Sequence, residues 1–366
     1  MNEIQRYLAE EIALDCSNGH ISRLEAIRRL RVMGLSAAVV AALLSACGGD
    51  SDGAGPNATA TTSGLTPAAA AQPSAPGAPA GDDAASSDDG ASGGDGASVD
   101  GTPATPAPTD ESGPAPATPP AASPAAEPAS PAATASAEQA LPTEAITFAG
   151  PRGVILQGAW ASAAAPRGAV LVIHENRGLN DHIRSVAGRF AAAGYSALAL
   201  DLLSEEGGTE ALGDVANATA ALGNAPPERF VEDMRAALDE LERRVPGAAI
   251  GAIGFCFGGG MMWRLVASGD PRLRAAAPFY GPLPQGADFS ASSAAVLGVY
   301  GELDARVNAT QADAETALTA AGLEHEIVTF PGANHAFFND TGMNYDADAA
   351  AEAWTRVLDW FARYLG

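Results

Sequence analysis

The chain has 366 residues and a formal net charge of −24 at pH 7. It contains no lysine, and this acidic balance argues against a nucleic-acid-binding protein, which needs a basic surface. Composition divides the chain into three parts. Residues 1–47 end in an apolar stretch, residues 48–140 are of low complexity, and residues 141–366 have the composition of a globular domain.

The first part has the organisation of an export signal. The basic cluster Arg28-Arg29-Leu30-Arg31 precedes about 15 apolar and small residues, whereas a membrane-spanning helix needs about 20. The paired arginines resemble a twin-arginine signal, although Ile27 stands where that pattern has Ser or Thr. Leu44-Ser45-Ala46-Cys47 resembles a bacterial lipobox, in which the cysteine is acylated and becomes the mature N-terminus. We therefore predict a signal peptide over 1–47 with a lipid on Cys47.

The beginning of this part departs from the usual form of such a signal. A long polar preamble precedes the basic cluster, and the spacing of Ile4, Leu8 and Ile12 predicts an amphipathic helix there. The alternative to a cleaved signal is an uncleaved single-pass anchor. Either reading predicts an exported protein of the periplasm or cell envelope that meets the membrane only through its anchor.

Residues 48–140 consist almost entirely of Ala, Pro, Gly, Ser, Thr and Asp, with twelve acidic residues and no basic residue. Such a segment cannot bury enough apolar surface to offset the entropy of ordering, so we expect a disordered linker. Of the three cysteines, only Cys256 falls in the globular part. A single cysteine forms no internal disulfide and no cysteine-based metal site, so we expect no metal.

The globular part alternates apolar runs with helical patterns. The predicted strands are an opening hairpin at 146–148 and 154–160, followed by 169–173, 195–200, 248–253, 273–280, 294–300 and 325–330. The predicted helices lie at 183–193, 208–222, 227–244, after Cys256, 309–321 and 346–365. Alternation of this kind predicts an α/β fold with a mostly parallel sheet covered by helices on both faces.

A strand, a tight glycine-rich turn and a helix surround Cys256. The turn reads Gly254-Phe255-Cys256-Phe257-Gly258, which is the G-x-C-x-G form of a nucleophile elbow. The glycines allow the strand and the helix to approach closely, and the helix N-terminus favours the thiolate. The alternative is a buried and inert cysteine beside a packing contact.

Three other strands also end in polar residues. Strand 169–173 leads into His174 and Glu175, strand 294–300 into Asp304, and strand 325–330 into His335. The carboxyl ends of parallel strands share one edge of a sheet, which is where active sites of such folds lie. The order of nucleophile, acid and histidine is also that of α/β-hydrolases. We expect Cys256 to attack a carbonyl, His335 to transfer protons and Asp304 to orient the imidazole.

Each assignment has a structural alternative. Asp304 could only cap the following helix, His335 could be a loop histidine, and Glu175 could be a solvated acid. We expect His174 to be a packing or hydrogen-bonding residue, and the remaining histidines to be structural or on the surface. The backbone N–H of Phe257 and one N–H from the loop after strand 169–173 would form the oxyanion hole.

With these motifs in view, residues 141–366 resemble the dienelactone hydrolase family. The resemblance rests on the segments 174–180, 254–259, 301–304 and 332–337. It implies an α/β-hydrolase fold, a Cys-Asp-His triad and no cofactor. It also implies that Glu175 lies beside the resting thiol and that Arg177 provides the second oxyanion N–H.

The resemblance has a gap that concerns the substrate. Members that cleave dienelactone hold its carboxylate with two arginines. Phe338-Asn339-Asp340 stands at one of these places, and residues 202–228 around the other contain no basic residue. Dienelactone itself is therefore not the expected substrate.

The sequence predicts an exported hydrolase that cleaves a small ester or lactone through a thioester acyl-enzyme. We expect a monomer, with the oligomeric state left open by the sequence. A non-catalytic binding module and a thiol redox sensor on the same scaffold are the alternatives. Complete acid and base partners argue against the first, and the lack of a resolving cysteine argues against the second.

Overall fold

The computed structural model describes residues 1–45 and 140–366, so Cys47 and nearly all of the predicted linker lie outside the described residues. Eight strands are present there: β1 Glu144–Ala149, β2 Ile155–Ala161, β3 Gly168–Ile173, β4 Tyr195–Asp201, β5 Ile250–Phe255, β6 Leu273–Phe279, β7 Ala295–Gly301 and β8 His325–Phe330. The helices are α1 Glu3–Ser17, α2 Arg23–Val32, α3 Ala37–Leu43, α4 Asp181–Ala192, α5 Val215–Asn224, α6 Pro227–Arg244, α7 Phe257–Ala267, α8 Ala305–Asn308, α9 Gln311–Ala321 and α10 Ala347–Leu365.

The strands form one sheet in the order β1-β2-β4-β3-β5-β6-β7-β8. The β1–β2 and β2–β4 pairs are antiparallel, as the predicted opening hairpin requires, and the other pairs are parallel. Strands β3, β4, β5 and β7 are buried along their whole length. This explains their continuous apolar sequences, because helices cover both faces of a parallel sheet. The predicted α/β fold is confirmed.

Helices α4 and α10 pack together on one face of the sheet. The Phe190 ring of α4 lies 4.7 Å from Trp354 and 5.7 Å from Phe361 of α10, measured between ring centroids. Helices α6 and α7 contact each other and lie over β3, β5 and β6. The sheet is therefore the middle layer of three, which leaves the carboxyl ends of its strands open for a site.

The helix predicted over 208–222 is interrupted in the structure. The pattern predicted a single helix over 208–222, but the structure has a short 3-10 turn at Thr209–Leu212 followed by α5 from Val215. Gly213 between them adopts a left-handed conformation with φ 76°, and Asp214 then caps α5 by accepting a hydrogen bond from the Asn217 amide. A left-handed residue interrupts the helical hydrogen bonds, so the pattern extended across a real break.

The N-terminal segment, residues 1–45, packs in the same compact unit as the hydrolase domain. Its helices α1 and α2 contact each other and α5. The predicted amphipathic helix is present as α1, and Ile4, Leu8 and Ile12 are buried, with Leu8 fully covered. Among the described residues, no helix is long and apolar enough to cross a membrane. Cleavage within this part of the chain stays a prediction.

Candidate active site

The carboxyl edge of the sheet collects the predicted functional residues. Cys256 follows β5, Asp304 follows β7, His335 lies in the loop after β8, and Glu175 follows β3. All four side chains are at least 95% buried. Glu175, Cys256 and His335 line one cavity of about 300 Å³. The order of the strands in the sheet therefore brings together residues that are far apart in sequence.

The turn at Cys256 is strained and crowded. Cys256 has φ 55° and ψ −116°, outside the regions that L-residues prefer, and it immediately precedes α7. A Cβ on Gly254 would lie 2.2 Å from the Gly258 carbonyl oxygen, and one on Gly258 would lie 2.6 Å from the carbonyl oxygens of Ile173 and His174. These contacts are too short for any side chain, so the glycines allow strand, turn and helix to meet. The predicted elbow geometry is present.

His335 and Asp304 form a buried pair. His335 Nδ1 lies 2.5 Å from Asp304 Oδ2, and the pair is almost closed to solvent. The other oxygen, Asp304 Oδ1, accepts a hydrogen bond from the Val307 amide at 3.2 Å. Asp304 therefore caps α8 and orients the imidazole at once, so the two interpretations of this residue are compatible. With Nδ1 facing the carboxylate, Nε2 faces the cavity, where a base must act.

The thiol and the imidazole lie close together. Cys256 Sγ and a His335 ring nitrogen are within 4.8 Å of each other. Burial, followed by the nearby Glu11 carboxylate, raises the pKa of the Cys256 thiol, and the His335 interaction offsets only part of this. Burial alone would lower the pKa of His335, but Glu11, Cys256 and Asp304 outweigh it and raise that pKa well above its ordinary value. Glu11 is a common cause of both shifts: its carboxylate disfavours the thiolate of Cys256 and favours the imidazolium of His335.

Glu175 is buried and is fixed by a hydrogen bond from another side chain. Asn339 donates a hydrogen bond to Glu175 Oε2 at 2.7 Å, while Oε1 has no hydrogen-bond partner among the described residues. Glu175 is one of the groups that raise the pKa of Cys256. It also raises the pKa of the buried Tyr280 hydroxyl, after the larger effect of burial. A surface-acid role for Glu175 does not fit these surroundings, whereas a carboxylate that disfavours the resting thiolate does.

The oxyanion-hole residues are placed near the thiol, and their role stays a prediction. Phe257 is the first residue of α7, so its N–H belongs to the unpaired first turn of that helix. Arg177 lines the cavity beside Cys256, and its side chain is exposed. A helix N-terminus next to the nucleophile is a favourable place for a developing negative charge.

The other histidines of the domain have separate structural partners. His174 is fully buried, accepts a hydrogen bond from the Leu202 amide at Nε2, and its Nδ1 lies 2.6 Å from the Glu175 carbonyl oxygen. Burial lowers the pKa of His174, so it stays neutral as a hydrogen-bonding residue. His182 pairs with Asp340 at 2.7 Å. Asp340 also forms an ion pair with Arg189, so the charge of this arginine is already matched.

Several residues of the N-terminal segment reach the site, and sequence reasoning missed the two of them that meet Cys256 and His335. The Tyr7 hydroxyl lies 3.3 Å from Cys256 Sγ, and Glu11 Oε1 lies 3.2 Å from His335 Nε2. His20, predicted to be structural or on the surface, lines the cavity as well. The buried stripe of α1 was visible in the sequence, but a stripe does not identify the surface that it covers.

The site also contains a possible set of metal donors. Oxygen, sulfur and nitrogen atoms of Glu11, Cys256 and His335 lie within 4.8 Å of one another. Such donors suit zinc in type and number. However, Glu11 is already paired with Arg306 and with His335. Arg306 and His335 therefore already balance the negative charge of Glu11. The predicted lack of a metal stays a prediction.

The sequence is similar to a known protein family and to individual members of it. A sequence model described as "Dienelactone hydrolase family" matches residues 156–365. The chain is 34% identical over 218 residues to a "Putative carboxymethylenebutenolidase" of Escherichia coli O157:H7, covering 55% of this chain and 79% of that protein.

Two solved structures are similar in fold. A crystal structure titled "Putative Dienelactone Hydrolase" from Klebsiella pneumoniae subsp. pneumoniae superposes with a TM-score of 0.53 and 29% identity, over 61% of this chain and all of that one. A dienelactone hydrolase-like promiscuous phosphotriesterase from metagenomic libraries gives 0.50 and 27%, over 62% of this chain and all of that one. The chain therefore belongs to the dienelactone hydrolase family of α/β-hydrolases, and it is an ester or lactone hydrolase.

Proposed function

We propose that the chain hydrolyses a carboxylic ester or lactone through Cys256, His335 and Asp304, with a thioester acyl-enzyme. The observation that carries this proposal is the buried 2.5 Å contact between His335 and Asp304, next to a cysteine on a strained elbow. A buried loop histidine does not need a carboxylate partner, whereas a general base needs one to fix its tautomer and to stabilise its charge.

The first half-reaction forms the acyl-enzyme. When Glu11 is not beside Nε2, His335 can be a neutral imidazole, and Nε2 then takes the proton of the Cys256 thiol as Sγ bonds to the carbonyl carbon. The carbonyl π-bond opens to an oxyanion that receives hydrogen bonds from the N–H groups of Phe257 and Arg177. When the carbonyl re-forms, the bond to the alkoxide breaks and His335 returns the proton to that oxygen. The products are the free alcohol, or the ring-opened hydroxyl of a lactone, and a thioester on Cys256.

The second half-reaction uses water. His335 takes a proton from a water molecule as the oxygen attacks the thioester carbon, and the Cys256–carbon bond breaks. The thiolate recovers a proton from His335, and the carboxylic acid leaves. Glu175 acts before this cycle rather than in it: its charge favours the resting thiol, which limits oxidation when substrate is absent.

The substrate is proposed to be a small neutral ester or lactone. Segment 338–340 has no arginine at the place where dienelactone-cleaving members have one, and its Asp340 is paired with His182 and Arg189. Without a cation there, this segment does not compensate the negative charge of an anionic substrate.

The test uses p-nitrophenyl acetate and the full chain carrying Leu8→Glu, a change at a fully buried position of α1 that is designed to free Cys256 and His335 from Tyr7 and Glu11. This parent chain is expected to release p-nitrophenol with an initial burst, because acylation outpaces hydrolysis of the thioester. Adding Cys256→Ala is expected to abolish both burst and turnover, and Cys256→Ser serves as the control that keeps the side chain's shape with a poorer nucleophile. Equal rates in the parent chain and in its Cys256→Ala variant would refute the proposal.

We also propose that the protein is exported and carries a lipid on Cys47, on the strength of the sequence of residues 28–47. Mass spectrometry of the protein recovered from membranes of a bacterial host tests this. The expected N-terminal peptide begins at an acylated Cys47. An N-terminal peptide that begins at residue 1 or 2 would contradict cleavage.

A further inference from the structure

Helix α1 places two side chains on the two atoms that the proposed reaction uses first. Tyr7 and Glu11 are four residues apart, so they lie on the same face of α1. The Tyr7 hydroxyl lies 3.3 Å from the nucleophilic Sγ of Cys256, and Glu11 Oε1 lies 3.2 Å from the basic Nε2 of His335. The thiol and the base are therefore each occupied by a residue of the N-terminal segment.

The contact between α1 and the domain is built from several independent interactions. Ile4, Leu8 and Ile12 are buried along the inner stripe of α1, with exposed fractions of 4%, 0% and 2%. At its N-terminus, Glu3 pairs with Arg264 and accepts a hydrogen bond from the Gln285 amide at 2.9 Å. Apolar burial and charge pairing thus both fix where α1 lies.

Arg306 links the two occupying residues. It pairs with Glu11 and lies over the Tyr7 ring at 4.3 Å from the ring centroid. Glu11 is only 6% exposed, so its carboxylate depends on these partners for its charge to be tolerated. Arg306 is the second residue of α8, two positions after Asp304, so the domain supplies a cation at the place where α1 brings an anion.

This arrangement opposes catalysis in two ways. A carbonyl carbon must approach Sγ to about 3–3.5 Å for attack, and the Tyr7 hydroxyl already lies at that distance. His335 faces Asp304 on one side and Glu11 on the other, so its protonated form is favoured. An imidazolium cannot accept the proton of the thiol, and Glu11 also raises the pKa of that thiol.

We propose that the N-terminal segment is a cis-acting inhibitor of this enzyme: α1 lies in the active site through Tyr7 and Glu11, and hydrolysis requires that α1 leave it. The proposal rests on the proposed function of Cys256 and His335. The same segment carries the predicted export signal, so its removal or displacement would couple activation to export.

The test displaces α1 by a charge in its buried stripe. Leu8→Glu puts a carboxylate at a fully buried position, and Leu24→Glu makes the same change on α2 at a position that is 75% exposed. Two rates are measured on the full chain: alkylation of Cys256 by iodoacetamide, read from the mass of the peptide that contains it, and hydrolysis of p-nitrophenyl acetate. The first reports access to the thiol without any need for catalysis.

The expected result is that Leu8→Glu raises both rates about tenfold or more, while Leu24→Glu leaves both near the wild-type values. Faster alkylation without hydrolysis in any variant would support the inhibitory contact and refute the proposed function. Alkylation and hydrolysis within about twofold of wild type in Leu8→Glu would overturn the inhibitor proposal, and so would a rise in KM with slower turnover, because α1 would then be part of the substrate site.

A milder variant covers the case in which Leu8→Glu does not fold, as judged by circular dichroism and thermal unfolding. Glu11→Gln keeps α1 and its apolar stripe but removes the charge that faces His335. It is expected to raise hydrolysis several-fold, and the exposed Arg6→Ala on the same helix serves as its control. A Glu11→Gln rate equal to or below that of wild type would overturn the proposal.

Discussion

Replacing Asp304 by Asn tests the pairing on which the proposed chemistry depends. Asn keeps the shape of the side chain and an oxygen that can cap α8 at Val307. Its other end, however, offers an N–H or a neutral oxygen to His335 Nδ1, where the carboxylate now lies at 2.5 Å. The imidazole loses the partner that holds its proton on Nδ1 and leaves Nε2 free to act as base.

The expected cost can be divided between chemistry and stability. We expect kcat to fall about 10³–10⁴-fold, which corresponds to roughly 4–5.5 kcal/mol in the barrier. Loss of the charge-assisted hydrogen bond should lower the free energy of unfolding by about 1.5–3 kcal/mol. The helix cap should survive, so a larger loss of stability is not expected.

The assay is p-nitrophenyl acetate hydrolysis in the Leu8→Glu background, so that wild type and variant are compared with α1 displaced. The matched control is Asp340→Asn, which changes the other aspartate–histidine pair of the domain, at His182. The control should lose stability to a similar extent and less than about tenfold in kcat. If Asp304→Asn stays within tenfold of its parent, or if both variants slow turnover equally, the triad assignment is refuted.

Three further predictions concern the elbow, Glu175 and a buried acid. Gly258→Ala puts a Cβ 2.6 Å from two carbonyl oxygens, so we expect a loss of about 1–3 kcal/mol in unfolding free energy, measured by urea titration; an unchanged midpoint would contradict the crowding argument. Glu175→Gln removes a charge that raises the pKa of Cys256, so alkylation against pH should shift to lower pH; an unmoved profile would exclude this role. Burial, followed by Glu205, raises the pKa of Asp233 from 3.8 to about 6, and both of its oxygens lack hydrogen-bond partners among the described residues. A folded-state pKa above the unfolded value means that stability is lost as pH rises through 4 to 6, so Asp233→Asn should gain about 1 kcal/mol at pH 8 and nothing at pH 3, as thermal unfolding at the two pH values would show.

Much of the fold, and the convergence of the candidate site residues, could be predicted because each depends on local sequence. The buried strands β3, β4, β5 and β7 are continuous apolar runs, and parallel strands order their carboxyl ends at one edge. Polar residues after several such runs, as at Cys256, Asp304 and His335, therefore converge without any knowledge of side-chain contacts. The glycines around Cys256 likewise indicated a tight turn between a strand and a helix, from only a few neighbouring residues.

The rest could not be predicted because it depends on contacts between distant segments. The apolar stripe of α1 showed that the helix packs on something, but nothing in residues 1–17 identifies the active site as its surface. The two contacts of Tyr7 and Glu11 join residues about 250 and 324 positions apart, far outside any sequence pattern. The double role of Asp304 was also invisible, because capping and pairing use different oxygens of one side chain.

The central claim is that Cys256 carries the acyl group during turnover. Rapid acid quenching of the Leu8→Glu chain with p-nitrophenyl acetate, followed by peptide mass spectrometry, measures this directly. The account predicts one acetyl group on the peptide that contains Cys256, formed at the rate of the burst and lost in Cys256→Ala together with hydrolysis. A burst with the acetyl group on another residue, or turnover that survives Cys256→Ala, would contradict it.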